Sequence, residues 1–219
     1  MSLRAHYEEE LQEMREHLLA MASLVERHLE LAIQAMIKQD EAIASIVVKD
    51  DDKLDDIKVE MENRCVLLIA TQQPLASDLR NIFTANEIAT DLERMGDYAV
   101  DIAEIAIRLK DEKYIKELDK IPRMAKIALT MVHGCIDAYV RSDAELAAKV
   151  CKMDDEVDDL TGELFAELYS LGGRETRDIF QMIQFLFVAK YIERIGDHAT
   201  NLGEWVVFNV TGQLIDLND

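Results

Sequence analysis

Apolar residues near the start of the chain fall at Leu11, Met14, Leu18, Met21, Val25, Leu29, Ala32 and Met36. Steps of three and four residues keep them on one face of a long amphipathic helix. That pattern pauses at Gln39-Asp40, where Asp40 is placed to cap a second helix running from about Glu41 to Thr71. Pro74 then suits the first turn of a third helix ending near Leu109. The charged stretch from Lys110 to Lys120 reads as a linker. Asp119 with Pro122 marks the start of a fourth helix that ends near Arg141. A fifth covers about Asp143 to Leu171 and is stopped by Gly172-Gly173; a sixth runs from about Glu175 to Val210. Short turns between long helices imply antiparallel neighbours. The expected fold is therefore all-α, with six long antiparallel helices.

The same order of features occurs twice. Leu92-Glu93-Arg94-Met95-Gly96-Asp97 matches Ile192-Glu193-Arg194-Ile195-Gly196-Asp197 at an offset of 100 residues. Upstream, Asp51-Asp52-Lys53-Leu54-Asp55-Asp56 matches Asp154-Asp155-Glu156-Val157-Asp158-Asp159 at an offset of 103. The difference falls in the turn around Pro74 versus Gly172-Gly173, where a change of length is tolerated. Two similar three-helix bundles follow, residues 1–110 and 121–219, joined by a linker at 111–120.

Composition agrees and narrows the function. Two prolines and eight glycines in 219 residues leave little to interrupt a helix, and 49% hydrophobic residues supply a sizeable core. A net charge of −20 with no basic stripe argues against nucleic acid, whose phosphates need Lys and Arg to displace their counterions. Cations and basic partner surfaces are the expected electrostatic ligands. The opening residues, Arg4 followed by Glu8-Glu9-Glu10, do not form a signal peptide. The most apolar stretch, Ile179 to Ile192, is interrupted by Gln181, Gln184 and Lys190. It falls short of the ~20 apolar residues of a membrane span. Membrane contact is expected only through a partner. Cys65, Cys135 and Cys151 are odd in number, far apart and without paired spacing, which suits buried, reduced thiols. A homodimer is expected, ten methionines offering adaptable contact surface.

The candidate chemistry lies on the third and sixth helices. Glu93, Asp97, Asp101 and Glu104 are spaced by four, four and three residues and share one stripe, opposite Ile88, Leu92, Met95, Ala99, Ile102 and Ala106. Glu193, Asp197, Asn201 and Glu204 repeat the arrangement. Each column is expected to point away from the apolar face. A solvated polar face is the ordinary reading of such a run, but two costs argue against it. Like charges four apart destabilise a helix by a few tenths of a kcal/mol. Gly96 and Gly196 sit inside both motifs, where glycine costs ~1 kcal/mol relative to alanine. The missing side chain would let another helix or an ion-binding cluster approach closely. Carboxylate clusters suit hard cations such as Mg²⁺, Ca²⁺, Mn²⁺ or iron, so Glu93, Asp97, Asp101, Glu193, Asp197 and Asn201 are the candidate metal ligands. The aspartate strings on the second and fifth helices either complete these sites or are simply wet.

The histidines add less. His6, His17 and His28 recur every 11 residues, about 16 Å apart along the helix, too far to share an ion; they read as flanks of the core stripe. His198, beside Asp197, is a candidate nitrogen ligand or a surface residue.

The paired Glu-Arg-hydrophobic-Gly-Asp motifs, one per three-helix half, resemble those of the PhoU family of phosphate-uptake regulators. Gln73-Pro74-Leu75-Ala76-Ser77-Asp78-Leu79-Arg80 is similar to that family's entry into its third helix. The resemblance covers essentially the whole chain. It implies a cytoplasmic, non-enzymatic adaptor linking a phosphate ABC transporter to a sensor histidine kinase and repressing phosphate-starvation genes when phosphate is plentiful. It also implies metal clusters, in some members of iron or zinc, at Glu93/Asp97 and Glu193/Asp197. Asn201 stands where the first half has Asp101, so the second site has one charge fewer.

Two other classes stay open. A carboxylate-bridged metal-dependent enzyme or metal-storage bundle would need Glu-x-x-His pairs facing a core, and no histidine here follows a glutamate by three residues. A purely structural or chaperone-like protein would use its acidic faces only for solubility. No P-loop, His-Glu-x-x-His or nucleophile–base string is present.

Overall fold

The computed structural model describes residues 3–173 and 175–217, with side chains from Tyr7 onward; Arg4 and His6, on which two expectations fall, lie outside the described side chains. Among the described residues eight helices follow one another: α1 (Leu3–Lys38), α2 (Glu41–Lys49), α3 (Asp52–Gln72), α4 (Ala76–Arg108), α5 (Lys120–Arg141), α6 (Ala144–Cys151), α7 (Asp154–Leu171) and α8 (Thr176–Thr211). No strand occurs among the described residues. The six expected rods are present, and the second and fifth are each interrupted once, giving α2/α3 and α6/α7.

The interruptions have a local cause. Lys53 and Leu54 N–H groups bond back only three residues, to Asp50 and Asp51, and Met153 and Glu156 do the same to Val150 and Met153. Immediately after each tight turn a new helix opens on acidic residues, Asp52 and Asp55 in α3 and Asp154, Asp155 and Glu156 in α7. Carboxylates are favoured there by the unsatisfied N–H groups and the positive end of the helix dipole. The two aspartate strings are therefore helix beginnings. The preceding short helices start on side-chain caps: Asp40 accepts from Ala42 N at 2.9 Å, and Asp143 from Leu146 N at 2.9 Å.

One predicted start is corrected. Pro74 lies in the loop before α4: Gln73 takes a left-handed conformation (φ 47°) that ends α3, and Leu75 is the residue flanking α4. Proline there stops one helix and does not begin the next. Asp119 flanks the start of α5 as expected, but its side chain makes no cap bond; its carboxylate is held by Lys116 at 2.9 Å and Lys120 at 3.8 Å.

Within the first half α4 packs on α1, α2 and α3; within the second, α8 packs on α5, α6 and α7. Helices α4 and α8 then pack on each other, and α1 on α5, so one core runs through both halves. Burying a Leu or Met side chain there is worth about 1.5–3 kcal/mol. The 109–119 connection is anchored to this core despite its charge. Tyr114 donates to Met36 O at 2.7 Å and sets its ring edge-on to Phe185 at 5.3 Å. Gln181, 0% exposed, accepts from Ile115 N at 3.1 Å and donates to Lys113 O at 3.0 Å. The glutamine that interrupts the apolar stretch thus faces inward, and Ile179, Phe180, Ile183 and Phe187 are exposed. No helix among the described residues is long and apolar enough to cross a membrane.

His28 departs from expectation. It is buried in the core, not on its flank, and neither ring nitrogen has a hydrogen-bond partner. Burial holds its pKa below the ordinary 6.5, with Asp50 opposing weakly. A histidine depressed in the folded state binds its proton only after unfolding. Stability should therefore be full above about pH 6.5 and fall as pH drops below that value. His28→Leu should flatten this slope in urea melts between pH 7 and pH 5; an unchanged slope would show that other groups set the acid sensitivity.

Candidate functional site

Each half forms one acidic cleft, between α3 and α4 in the first half and between α7 and α8 in the second. The columns are not displayed on the outside. Glu93, Asp97, Glu193 and Asp197 are half-buried, because the aspartates that open α3 and α7 come to lie across from them. In the first cleft Asp51 and Asp55 face Glu93 and Asp97 closely enough for their charges to interact. In the second, Asp154 and Asp158 face Glu193 and Asp197.

The motif glycines make this approach geometrically feasible. A Cβ on Gly96 would collide with the end of the Leu54 side chain, and one on Gly196 with Asp154 Oδ1. Asp154 consequently presses against the α8 backbone and is 7% exposed, and its Oδ1 is buried with no hydrogen-bond partner. Glu93 Oε2 is likewise buried without one.

Charge in the clefts is poorly compensated. Burial and then the neighbouring carboxylates push Asp154 up to about 7. Asp51, Glu93, Asp158 and Asp197 are raised for the same reasons, desolvation leading and like charges second. Ordinary ion pairs elsewhere do the opposite: a bond from Lys116 lowers Asp119. Some cations do reach the clefts. Arg94 pairs with Glu93 at 3.4 Å and Asp97 at 3.1 Å, Lys58 stands 3.8 Å from Glu93, and Lys190 lies 2.6 Å from Glu193. Asp154, Asp158 and Asp197 form no ion pair among the described residues. The second cleft has a volume of about 360 Å³ and is lined by Asp154, Asp155, Asp158, Asp197, Lys152, Cys151 and Leu217. No three Asp, Glu, His or Cys side chains among the described residues converge on one ion-sized point as they stand. The oxygens ring a cleft, so ligation requires these side chains to rotate inward or to act through water.

The third and fourth column members do different work. Asn201 donates to Asp91 Oδ1 at 3.4 Å, across the α4–α8 contact. His198, the candidate nitrogen ligand, is taken by the same oxygen at 2.8 Å. Asp101 is half-buried and close enough for its charge to raise the Tyr191 hydroxyl after burial. Glu104 pairs with Arg108 at 2.9 Å, and Glu204 accepts from Leu217 N at 2.9 Å. Tyr98 stacks on Tyr191 at 5.8 Å and lies 5.8 Å from His198. This polar and aromatic seam between halves was not evident in the sequence. The one signal for it is that Asp91 and Tyr191, and likewise Tyr98 and His198, are 100 residues apart, so that the contacts Asp91–His198 and Tyr98–Tyr191 are related by the repeat.

Comparison with known proteins accounts for the duplication. The PhoU domain family matches residues 18–106 and again residues 121–206. The chain is 44% identical over 217 residues to a phosphate-specific transport system accessory protein PhoU homolog of Clostridium acetobutylicum, covering 99% of each chain. It is 40% identical to a homolog of the same name from Aquifex aeolicus over 84% of each. Its fold superposes with a TM-score of 0.90 on the crystal structure of PhoU from Pseudomonas aeruginosa, at 34% identity over 94% of this chain and 100% of that one. The phosphate transport system regulatory protein PhoU from Streptococcus pneumoniae gives 0.88 at 27% identity, over 96% and 99%.

Asp154 supplies a direct test of the crowding. Its raised value favours the neutral acid in the folded state, so this contribution is present at low pH and lost as pH rises from about 4 through about 7. Without added metal, Asp154→Asn should be more stable than the parent at pH 8 by about 1–2 kcal/mol, discounted for solvent in an open cleft, and equal to it at pH 4. Equal melting temperatures at pH 8 would refute the crowding. Among the glycines, Gly162→Ala, with open space around it, should stabilise by about 0.5–1 kcal/mol, whereas Gly96→Ala and Gly196→Ala should not.

Proposed function

The chain belongs to the PhoU family, and on that premise we propose that it serves phosphate uptake as a non-enzymatic cytoplasmic adaptor. In this reading it connects a phosphate ABC transporter to a sensor histidine kinase and holds uptake and the starvation response down when phosphate is abundant. Its two clefts bind divalent or trivalent cations, with iron, zinc, magnesium and manganese as the candidates. The observation that carries the reading is the whole-length likeness to a transport-system accessory protein, with the family's domain present twice.

The geometry supports the metal part of the proposal unequally. In the second cleft Asp154 Oδ1 lacks a partner, and three carboxylates there lack ion pairs. A hard cation would satisfy both deficits. In the first cleft Arg94 and Lys58 already compensate part of the charge. The second half therefore binds more tightly, even though Asn201 replaces an acid there, because Asn201 is engaged at the seam. Asp154 and Asp158, with Asp51 and Asp55 in the first half, join Glu93, Asp97, Glu193 and Asp197 as ligands. The exposed stripe of Ile179, Phe180, Ile183 and Phe187, with Tyr169 on α7, supports contact with a partner or a second copy.

A calorimetric titration with Mn²⁺ at pH 7 should release protons, because a cation displaces the proton that Asp154 partly retains. Asp154→Asn should release fewer. Glu193→Gln with Asp197→Asn should weaken Mn²⁺ binding at least tenfold with helix content unchanged; parent-like affinity would remove the metal from the proposal. Pull-downs from lysates grown in high and low phosphate should recover transporter and kinase subunits. Their absence in both conditions would sink the adaptor reading.

A further inference from the structure

The cysteines are distant in sequence, yet the fold brings two of them into contact. Cys135 in α5 and Cys151 at the last position of α6 are both buried, and their sulfurs lie against the same glycine of α8. Gly203 of α8 makes room for the pair: a Cβ there would collide with the Cys151 sulfur and lie 3.6 Å from the Cys135 sulfur. Cys151 also donates to Thr200 O at 3.7 Å. By the repeat offsets, Val48 stands where Cys151 does and Ala103 where Gly203 does. The first half thus fills the equivalent space with hydrocarbon. Cys65 sits in that half, donating to Ile82 O at 3.7 Å.

We propose that Cys135 and Cys151 form a reversible intramolecular disulfide when the protein meets a hydroperoxide, tying the end of α6 to α5 beside the second acidic cleft. Cys151 lines that cleft together with Asp154 and Asp197, which gives a small oxidant a route to sulfur. Cys151 lines the cleft and Cys135 does not, so Cys151 meets the oxidant first. The Cys151 sulfur attacks one peroxide oxygen; the O–O bond breaks, the second oxygen leaves as water with the thiol proton, and a sulfenic acid remains. The Cys135 sulfur then displaces the sulfenic hydroxyl, which leaves as water with the Cys135 proton. Two thiols and one hydrogen peroxide become one disulfide and two waters. With both sulfurs against Gly203, side-chain rotations bring them to bonding distance.

The consequence is local. After Cys151 the chain turns through Lys152 and Met153 into α7, whose first residue is Asp154. A covalent tie at Cys151 restrains that turn. The reduced full-length chain, treated with hydrogen peroxide, unfolded and alkylated, should carry one alkyl group where the untreated chain carries three. Peptide mapping should link residues 135 and 151 within one chain, and dithiothreitol should restore all three sites. Cys65→Ala should keep the link; Cys135→Ser and Cys151→Ser should each abolish it. Amide exchange at Lys152 and Met153 should slow in the oxidised form. The proposal is overturned if all three cysteines stay alkylatable after exposure sufficient to oxidise the half-buried Met182, or if the link runs through Cys65. Unchanged exchange at the turn would overturn the restraint.

Discussion

Both clefts depend on a short stretch of helix that has no side chain. At Gly96 and Gly196 the helix backbone is open to the helix that crosses it, and Leu54 and Asp154 occupy the space a Cβ would take. The helix forgoes about 1 kcal/mol of intrinsic propensity at each position. Closer packing offsets that loss, and the packing sets how far α3 and α7 can advance. Without it Asp154 could not press on α8, and the second cleft would be wider and wetter.

Desolvation follows from that approach, and desolvation creates the chemistry. Carboxylates four residues apart on an exposed helix repel only weakly, because water screens them. Half-buried across from a second acidic helix start, Glu93 and Asp197 hold their protons more tightly, and Asp154 opposite Asp197 does so up to about 7. The two halves resolve the strain differently. Arg94 bridges Glu93 and Asp97 in the first, while its counterpart Arg194 is placed toward Tyr98 at the seam, 3.5 Å from the hydroxyl. One arginine turned inward and its repeat turned outward leave the second cleft with the greater charge deficit.

The seam between the halves completes the scaffold. Asp91, His198, Asn201, Tyr98 and Tyr191 tie α4 to α8 at the level of the motifs. The acidic helices of the two clefts are thereby the same helices that join the repeats. Each cleft is therefore built on a helix that also forms the contact between the halves.

Helical class, the six rods, the cap at Asp40, the duplication and the identity of the motif carboxylates could all be read from residue order. Those properties are set within one helix or at its end, where spacing of three and four residues decides which side chains share a face. What lies opposite that face is not a local property. Periodicity placed the columns away from the apolar stripe, which is true of the helix, and left open that α3 and α7 would cover them. It could not show that His28 would be enclosed, that His198 and Asn201 would turn to Asp91, or that Cys135 and Cys151 would touch. Each of those outcomes depends on residues 50 or more positions apart, or on a neighbouring helix, meeting at a distance of a few ångströms. Only the packing of one helix against another fixes such a distance.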